Sequence, residues 1–144
     1  MTAVFENKRI RFQYPENWTL SEDNSAEPVS VTVQSPSSGF WTLVMYSDDQ
    51  DLNVLIEQVV SAMDEEYEAL ESTPTTLELG DFTAPGYEMD FSCLDLVVSA
   101  KTFAIRHNDL TLLILWQGES RDFEQLELVF QAITLGMLQS DRDE

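Results

Sequence analysis

The sequence predicts an α+β domain in which an antiparallel sheet of about six to seven strands is flanked by two main helices. Three observations support this fold class. Alternating apolar and polar residues dominate the first third of the chain and return after the first helical segment. Two segments instead repeat apolar residues at helical spacing. The connections at 35–39, 84–86 and 107–109 are too short for parallel crossovers, which need about a dozen residues or more.

Three strands are predicted before the first helix. They cover Ile10–Tyr14, 29–34 and Phe40–Tyr46, with turns at 15–17 and 35–39 where proline, serine, asparagine and glycine collect. The first two alternate apolar and polar side chains, which is typical of half-buried strands. Phe40–Tyr46 is apolar on both faces and is therefore placed at the centre of its sheet.

The first helix is predicted over residues 51–71, with Asp48 or Asp49 as its N-cap. Acidic side chains occupy the outward face of this segment. Its inward stripe consists of Leu52, Leu55, Ile56, Val59, Val60, Met63, Tyr67 and Leu70. Burial of that stripe must stabilise the helix, because Glu68 and Glu71 interact unfavourably with the negative end of the helix dipole.

Strands are predicted again over 75–82, 87–93, 96–106 and 110–117. The last is apolar on both faces, so it is either covered on both sides or leaves one face open for a ligand. The second helix is predicted over 121–137, capped by Ser120 or Asp122. We therefore expect one domain over residues 1–138 and a polar tail over 139–144.

The charge balance excludes several classes of partner. The chain has 27 acidic and 7 basic residues, a formal net charge of −20, and three of the bases are Lys8, Arg9 and Arg11. Such a surface repels nucleic-acid phosphates and anionic membranes. No apolar stretch approaches the roughly 20 residues that span a bilayer, and no leader is recognisable, so we expect a cytoplasmic protein.

Few residues suited to catalysis or metal binding are present, so we expect neither an enzyme nor a cofactor. One histidine, His107, and one cysteine, Cys93, cannot form a conventional zinc site. Cys93 alternates with apolar residues and is interpreted as a small buried hydrophobe. Residues 49–53 resemble the start of a calcium-binding EF-hand loop, but Val54 replaces the required glycine. Asp90 and Asp95 are the best candidates for catalytic carboxylates, although we expect both to face solvent.

Aromatic side chains are the better candidates for binding. Phe40, Trp41, Tyr46 and Trp116 are predicted either to pack in the core or to line an open apolar face of the sheet. The neighbouring acids Asp48, Asp49 and Asp51 would form part of an acidic surround.

The order of elements resembles the Mog1/PsbP-like superfamily. Members open with a strand that ends in an aromatic-Pro-x-x-Trp turn, which Tyr14-Pro15 and Trp18 match here, after Phe12. A hairpin, a helix, a meander and a closing helix follow in the same order. The resemblance implies an antiparallel sheet flanked by helices and a non-catalytic role. Known branches bind a small GTPase, support photosystem II or act as type VI secretion chaperones.

Three functional hypotheses follow. The first is an adaptor or chaperone that presents an apolar and aromatic sheet face with an acidic surround to a protein partner. The second assigns the interaction to the acidic helix, which would attract a basic partner. The third is a carboxylate-dependent hydrolase, which requires at least two of Glu88, Asp90, Asp95 and His107 to converge in a pocket. Whether the chain also forms a homodimer is left open.

Overall fold

Nine strands and two helices make up the computed structural model, which describes residues 1–7 and 10–140. In chain order they are β1 (Thr2–Asn7), β2 (Ile10–Pro15), β3 (Thr19–Asp23), β4 (Val29–Gln34), β5 (Phe40–Tyr46), α1 (Leu52–Glu66), β6 (Glu71–Leu79), β7 (Phe82–Cys93), β8 (Leu96–His107), β9 (Leu110–Glu119) and α2 (Ser120–Gln139).

The predicted fold class is confirmed. Seven strands form one antiparallel sheet in the order β3-β4-β5-β9-β8-β7-β6, and β1 pairs with β2 in a separate two-stranded ribbon. β5 and β9, the two strands predicted to be apolar on both faces, lie next to each other near the middle of the sheet. Their central position follows from that apolarity, because a central strand is covered from both sides.

The two helices cover opposite sides of the sheet. On the α2 side, α2 and the β1–β2 ribbon bury the largest side chains, among them Phe12, Trp41, Trp116 and Phe130. On the α1 side, Leu55 and Ile56 of α1 pack against Ala104 and Leu113 of the sheet, and α1 lies over β7, β8 and β9. The strands at the other end of the sheet therefore receive less cover on this side.

The first helix is shorter than predicted. It spans Leu52–Glu66 instead of residues 51–71, and its N-cap is Asp51 instead of Asp48 or Asp49. The Asp51 carboxylate accepts hydrogen bonds from the backbone N–H groups of Asn53 and Val54, at 3.0 and 3.2 Å. The helix ends at Tyr67, whose ring stacks on Phe91 at 4.3 Å between centroids. Tyr67 has an extended backbone, with φ −120° and ψ 143°, and its ring packs against the sheet in that conformation.

Replacing Asp51 by alanine is expected to lower the free energy of unfolding by about 1 kcal/mol, because two backbone donors at the start of α1 lose their acceptor. Chemical denaturation monitored by circular dichroism measures the change. Asp49→Ala is the matched control: Asp49 is an exposed partner of Arg106 at 3.8 Å, and its loss should cost less than about 0.5 kcal/mol. Equal losses in the two variants would contradict the capping role.

The second helix is longer than predicted. It begins at Ser120 and includes Gln139, and its N-cap is Glu119, which makes no side-chain capping hydrogen bond. The predicted caps Ser120 and Asp122 therefore lie inside the first turn. At the other end, the Ser140 hydroxyl donates to the backbone carbonyl of Arg11 at 2.8 Å and so attaches the end of the helix to β2.

The strand predictions missed three features. β1 and β3 were not predicted as strands. The predicted turn at 84–86 was wrong: Ala84, Pro85 and Gly86 lie inside β7, and the turn falls at Gly80 and Asp81. Gly118 does not end the last strand, because β9 continues to Glu119. The predicted basic cluster at Lys8 and Arg9, and tail residues 141–144, lie outside the described residues.

Candidate functional site

The four aromatic residues predicted to share a sheet face lie on opposite sides of the sheet. Trp41 and Trp116 are paired neighbours on the α2 side, and both are 0% exposed. Phe40 and Tyr46 lie at the two ends of β5 on the α1 side and are half-buried. The two tryptophans therefore belong to the core, because α2 and the β1–β2 ribbon cover them, while Phe40 and Tyr46 remain accessible.

Beside α1, the sheet presents a partly uncovered surface, which we call the open face and define as Ser30, Thr32, Phe40 and Thr42. All four are half-buried side chains of β4 and β5, beyond Val44 and Tyr46, the β5 residues that pack against the α1 cluster. The hydroxyls of Thr32 and Thr42 are 3.0 Å apart and hydrogen-bonded across the strands. The open face is thus a flat, largely uncharged surface with one aromatic ring.

At the far end of β5, Tyr46 and Asp48 line a recess of about 370 Å³. Glu27 and Pro28 form its opposite wall. The Ser47 hydroxyl donates to Glu27 at 3.0 Å. Two of the predicted binding residues therefore meet in one concave site next to the open face.

The three predicted acidic residues have different surroundings. Asp51 is occupied as the helix cap described above. Asp48 accepts a hydrogen bond from the Gln50 side chain at 3.0 Å, and its backbone carbonyl accepts one from Thr111 at 3.0 Å. Asp49 is an exposed partner of Arg106. Asp48 and Asp49 are therefore the members of this group that remain accessible to a partner.

A further acidic residue lies at the outer edge of the sheet, where β3 ends at Asp23. The Ser25 hydroxyl, and less strongly the Ser25 backbone N–H, donate to this carboxylate at 2.7 and 3.2 Å and lower the pKa of Asp23. Asp23 consequently stays negatively charged to a lower pH than an ordinary aspartate. The acidic surround of the open face extends to this edge.

A groove of about 380 Å³ runs along the α2 side between the N-terminal half of α2 and strands β7 and β8. Glu88 and Asp90 lie on its sheet wall, and Glu124 and Glu127 lie on its helix wall. Lys101 pairs with Glu127 at 2.7 Å. Sequence reasoning missed this groove, because its walls come from segments about 30 residues apart and no local motif marks it.

Two of the four residues named for a hydrolase share this groove, and two do not. Glu88 and Asp90 both line it, but both are exposed residues and not the desolvated carboxylate that acid catalysis requires. Asp95 lies in the turn immediately before β8 and His107 is the last residue of that extended strand, so the two are far apart. His107 packs edge-on against Phe82 at 6.3 Å.

The described residues offer no metal centre and no membrane span. Within residues 1–7 and 10–140, no group of three or more histidine, cysteine or acidic side chains is placed to hold a metal ion. Cys93, predicted to be buried, is half-buried among Met89, Phe91 and Tyr67. No helix in the same part of the chain is long and apolar enough to cross a bilayer.

Similarity to known proteins is found in structure alone, since no protein-family model and no curated protein matches the sequence. The solution structure of cyanobacterial PsbP (CyanoP) from Synechocystis sp. PCC 6803 matches with a TM-score of 0.61 at 9% identity, over 94% of this chain and 90% of that one. PA94 from Pseudomonas aeruginosa, a protein of unknown function, matches with a TM-score of 0.53 at 6% identity, over 93% and 94%.

A crystal structure from Bacteroides thetaiotaomicron matches with a TM-score of 0.59 at 12% identity, over 90% of this chain and 46% of that one. Identities this low establish a shared fold and nothing about shared residues. At the level of fold, the resemblance drawn from the sequence is confirmed.

Proposed function

We propose that this chain, which has the Mog1/PsbP-like fold, is a non-enzymatic protein-interaction domain that works as an adaptor or chaperone. The observation that carries the proposal is the incomplete cover on the α1 side of the sheet. Phe40 and its hydroxyl-bearing neighbours form a surface there, while α1 lies over β7, β8 and β9 and packs on β5 at Val44 and Tyr46. Protein interfaces typically combine an aromatic contact with a polar rim.

The charge around the open face indicates which kind of partner segment would bind there. Asp23 and Asp48 lie at its margins, and the exposed acids of α1 lie beyond it. These carboxylates would attract a segment that carries basic residues around an apolar centre. The acidic helix and the open face then act together: the helix raises the association rate, and the face provides the contact area.

A matched pair of arginine substitutions tests the open face. We expect Thr42→Arg to abolish partner capture from a cell extract, because it places a long charged side chain in the middle of the surface. Thr76→Arg, on the same side of the sheet but on the exposed edge strand β6, should leave capture unchanged. Affinity isolation followed by mass spectrometry identifies the protein that is retained by the wild type and by Thr76→Arg.

The affinity for the purified partner then measures how much the open face contributes to binding. Phe40→Ala is expected to weaken binding about tenfold or more, as truncation of an aromatic contact residue can do. The association rate should also fall steeply as salt is added. Equal capture by the Thr42→Arg and Thr76→Arg variants, with both proteins folded, would show that the open face is not the surface that binds the partner.

A further inference from the structure

An apolar tip protrudes from the sheet at the turn between β7 and β8; we define it as Leu94, Leu96 and Val97. Their exposed fractions are 91%, 46% and 55%. Single exposed apolar residues are common and need no explanation. Three within four positions, at the end of one hairpin, are left uncovered by the chain itself, with Leu96 and Val97 on opposite faces of β8.

The backbone conformation at this tip is also unfavourable for the leucine at position 94. Leu94 and Asp95 have φ angles of 51° and 69°, in the left-handed region that most side chains avoid. The hairpin between β8 and β9 adopts the same left-handed pair, but with Asn108 and Asp109, which tolerate it. Leu94 thus combines high exposure with a disfavoured conformation, and neither feature helps the fold.

The apolar tip continues into the acidic groove beside α2. Val97 lies on the same side of the sheet as Ser99 and Asp90, two of the groove residues, because alternate residues of a strand share a face. Four carboxylates and one ammonium group, that of Lys101, line the groove, which therefore has an excess of three negative charges. Phe123 adds an aromatic wall. Leu96 faces the α1 side, so Leu94, Val97 and the acidic groove form one continuous strip on the α2 side.

We propose that this strip binds a basic amphipathic segment of a partner protein, with its apolar residues on the tip and its lysine or arginine side chains in the groove. Charge complementarity decides between the possible occupants. A second copy of this chain and an anionic membrane would both be repelled by a protein of net charge −20. A basic amphipathic segment would make an apolar contact with the tip and ionic contacts with the groove.

This inference does not depend on the proposed function, since the strip and the open face lie on opposite sides of the sheet. The probe is a synthetic 18-residue helical peptide of lysine and leucine with one apolar face. Titration of the isotope-labelled full chain, followed by amide chemical shifts, locates the peptide, and calorimetry measures its affinity. We expect the shifts to concentrate at residues 88–101 and 120–127.

Two sets of variants test the two halves of the strip. Leu94→Asn combined with Val97→Ser should weaken binding at least tenfold without lowering the melting temperature, because asparagine suits the left-handed turn better than leucine. Glu88→Gln combined with Glu124→Gln should also weaken binding at least tenfold. Glu57→Gln combined with Asp64→Asn removes the same charge from exposed positions of α1 and should change affinity less than twofold.

Several outcomes would overturn the proposal. Equal weakening by the α1 control pair would show that the peptide responds only to net charge. A lysine peptide without leucine that binds as tightly would exclude a role for the apolar tip. Tip-dependent binding to phosphatidylcholine vesicles, without site-specific peptide binding, would assign the tip to a membrane. The Thr42→Arg variant, which changes the open face, should bind the peptide normally. The open-face proposal and the strip proposal can therefore fail independently of each other.

Discussion

Replacing Trp41 by alanine is expected to lower the free energy of unfolding by about 4 kcal/mol, the largest loss anticipated for a single substitution in this chain. Trp41 is fully buried and connects three parts of the fold. Its ring contacts Phe12 of the β1–β2 ribbon at 4.9 Å, and its indole N–H donates to the Thr134 hydroxyl of α2 at 2.9 Å. The substitution leaves a cavity and also removes the donor that pairs with a buried hydroxyl.

Urea denaturation, monitored by far-ultraviolet circular dichroism, measures this loss. Thr134→Val separates the two contributions, since it removes the hydrogen bond but retains the volume, and it should cost about 1–2 kcal/mol. Val54→Ala, at an exposed position of α1, should change stability by less than about 0.5 kcal/mol. A loss below about 2 kcal/mol for Trp41→Ala would indicate that α2 and the β1–β2 ribbon move together and fill the space left by the indole ring.

Replacing Gly86 by alanine is expected to lower the free energy of unfolding by about 3 kcal/mol, because the added methyl group has no room. A Cβ atom at this position would lie 2.1 Å from the backbone carbonyl oxygen of Thr102 and 2.3 Å from the Phe103 ring. The first neighbour is backbone of the adjacent strand β8 and cannot rotate away. Relief of the clash would therefore require β7 and β8 to separate.

Gly136→Ala is the matched control, with the opposite sign expected. Gly136 is an exposed position within α2, and a Cβ atom there would meet no atom within 4 Å outside the adjacent backbone of its own helix. Alanine is a better helix former than glycine, so stability should rise by about 1 kcal/mol. The two variants add the same methyl group. Gly86→Ala measures the effect of crowding against the neighbouring strand, and Gly136→Ala measures the effect of helix preference. Destabilisation by both changes would mean that the packing around Gly86 is not the cause.

The site was predicted less well than the fold. Phe40 and Tyr46 were predicted to pack in the core or to line an open sheet face, and Asp48 was predicted to belong to the acidic surround of that face. Trp41 and Trp116 were grouped with them although adjacent residues of a strand face opposite sides. Periodicity assigns a residue to a face but does not show which face a helix covers. The groove and the apolar tip were missed because their residues become neighbours only on folding.

By itself, the sequence determined the α+β class, the central position of β5 and β9, and the formal net charge of −20. These properties depend on local periodicity and on composition, which are complete in the unfolded chain. Only the tertiary structure decided where α1 ends, that Gly86 lies inside a strand, and which aromatic side chains stay accessible. Each of these depends on a contact between distant segments: Tyr67 with Phe91, Gly86 with Phe103, and Trp41 with Thr134. Packing between such segments overrides local preference wherever the two disagree.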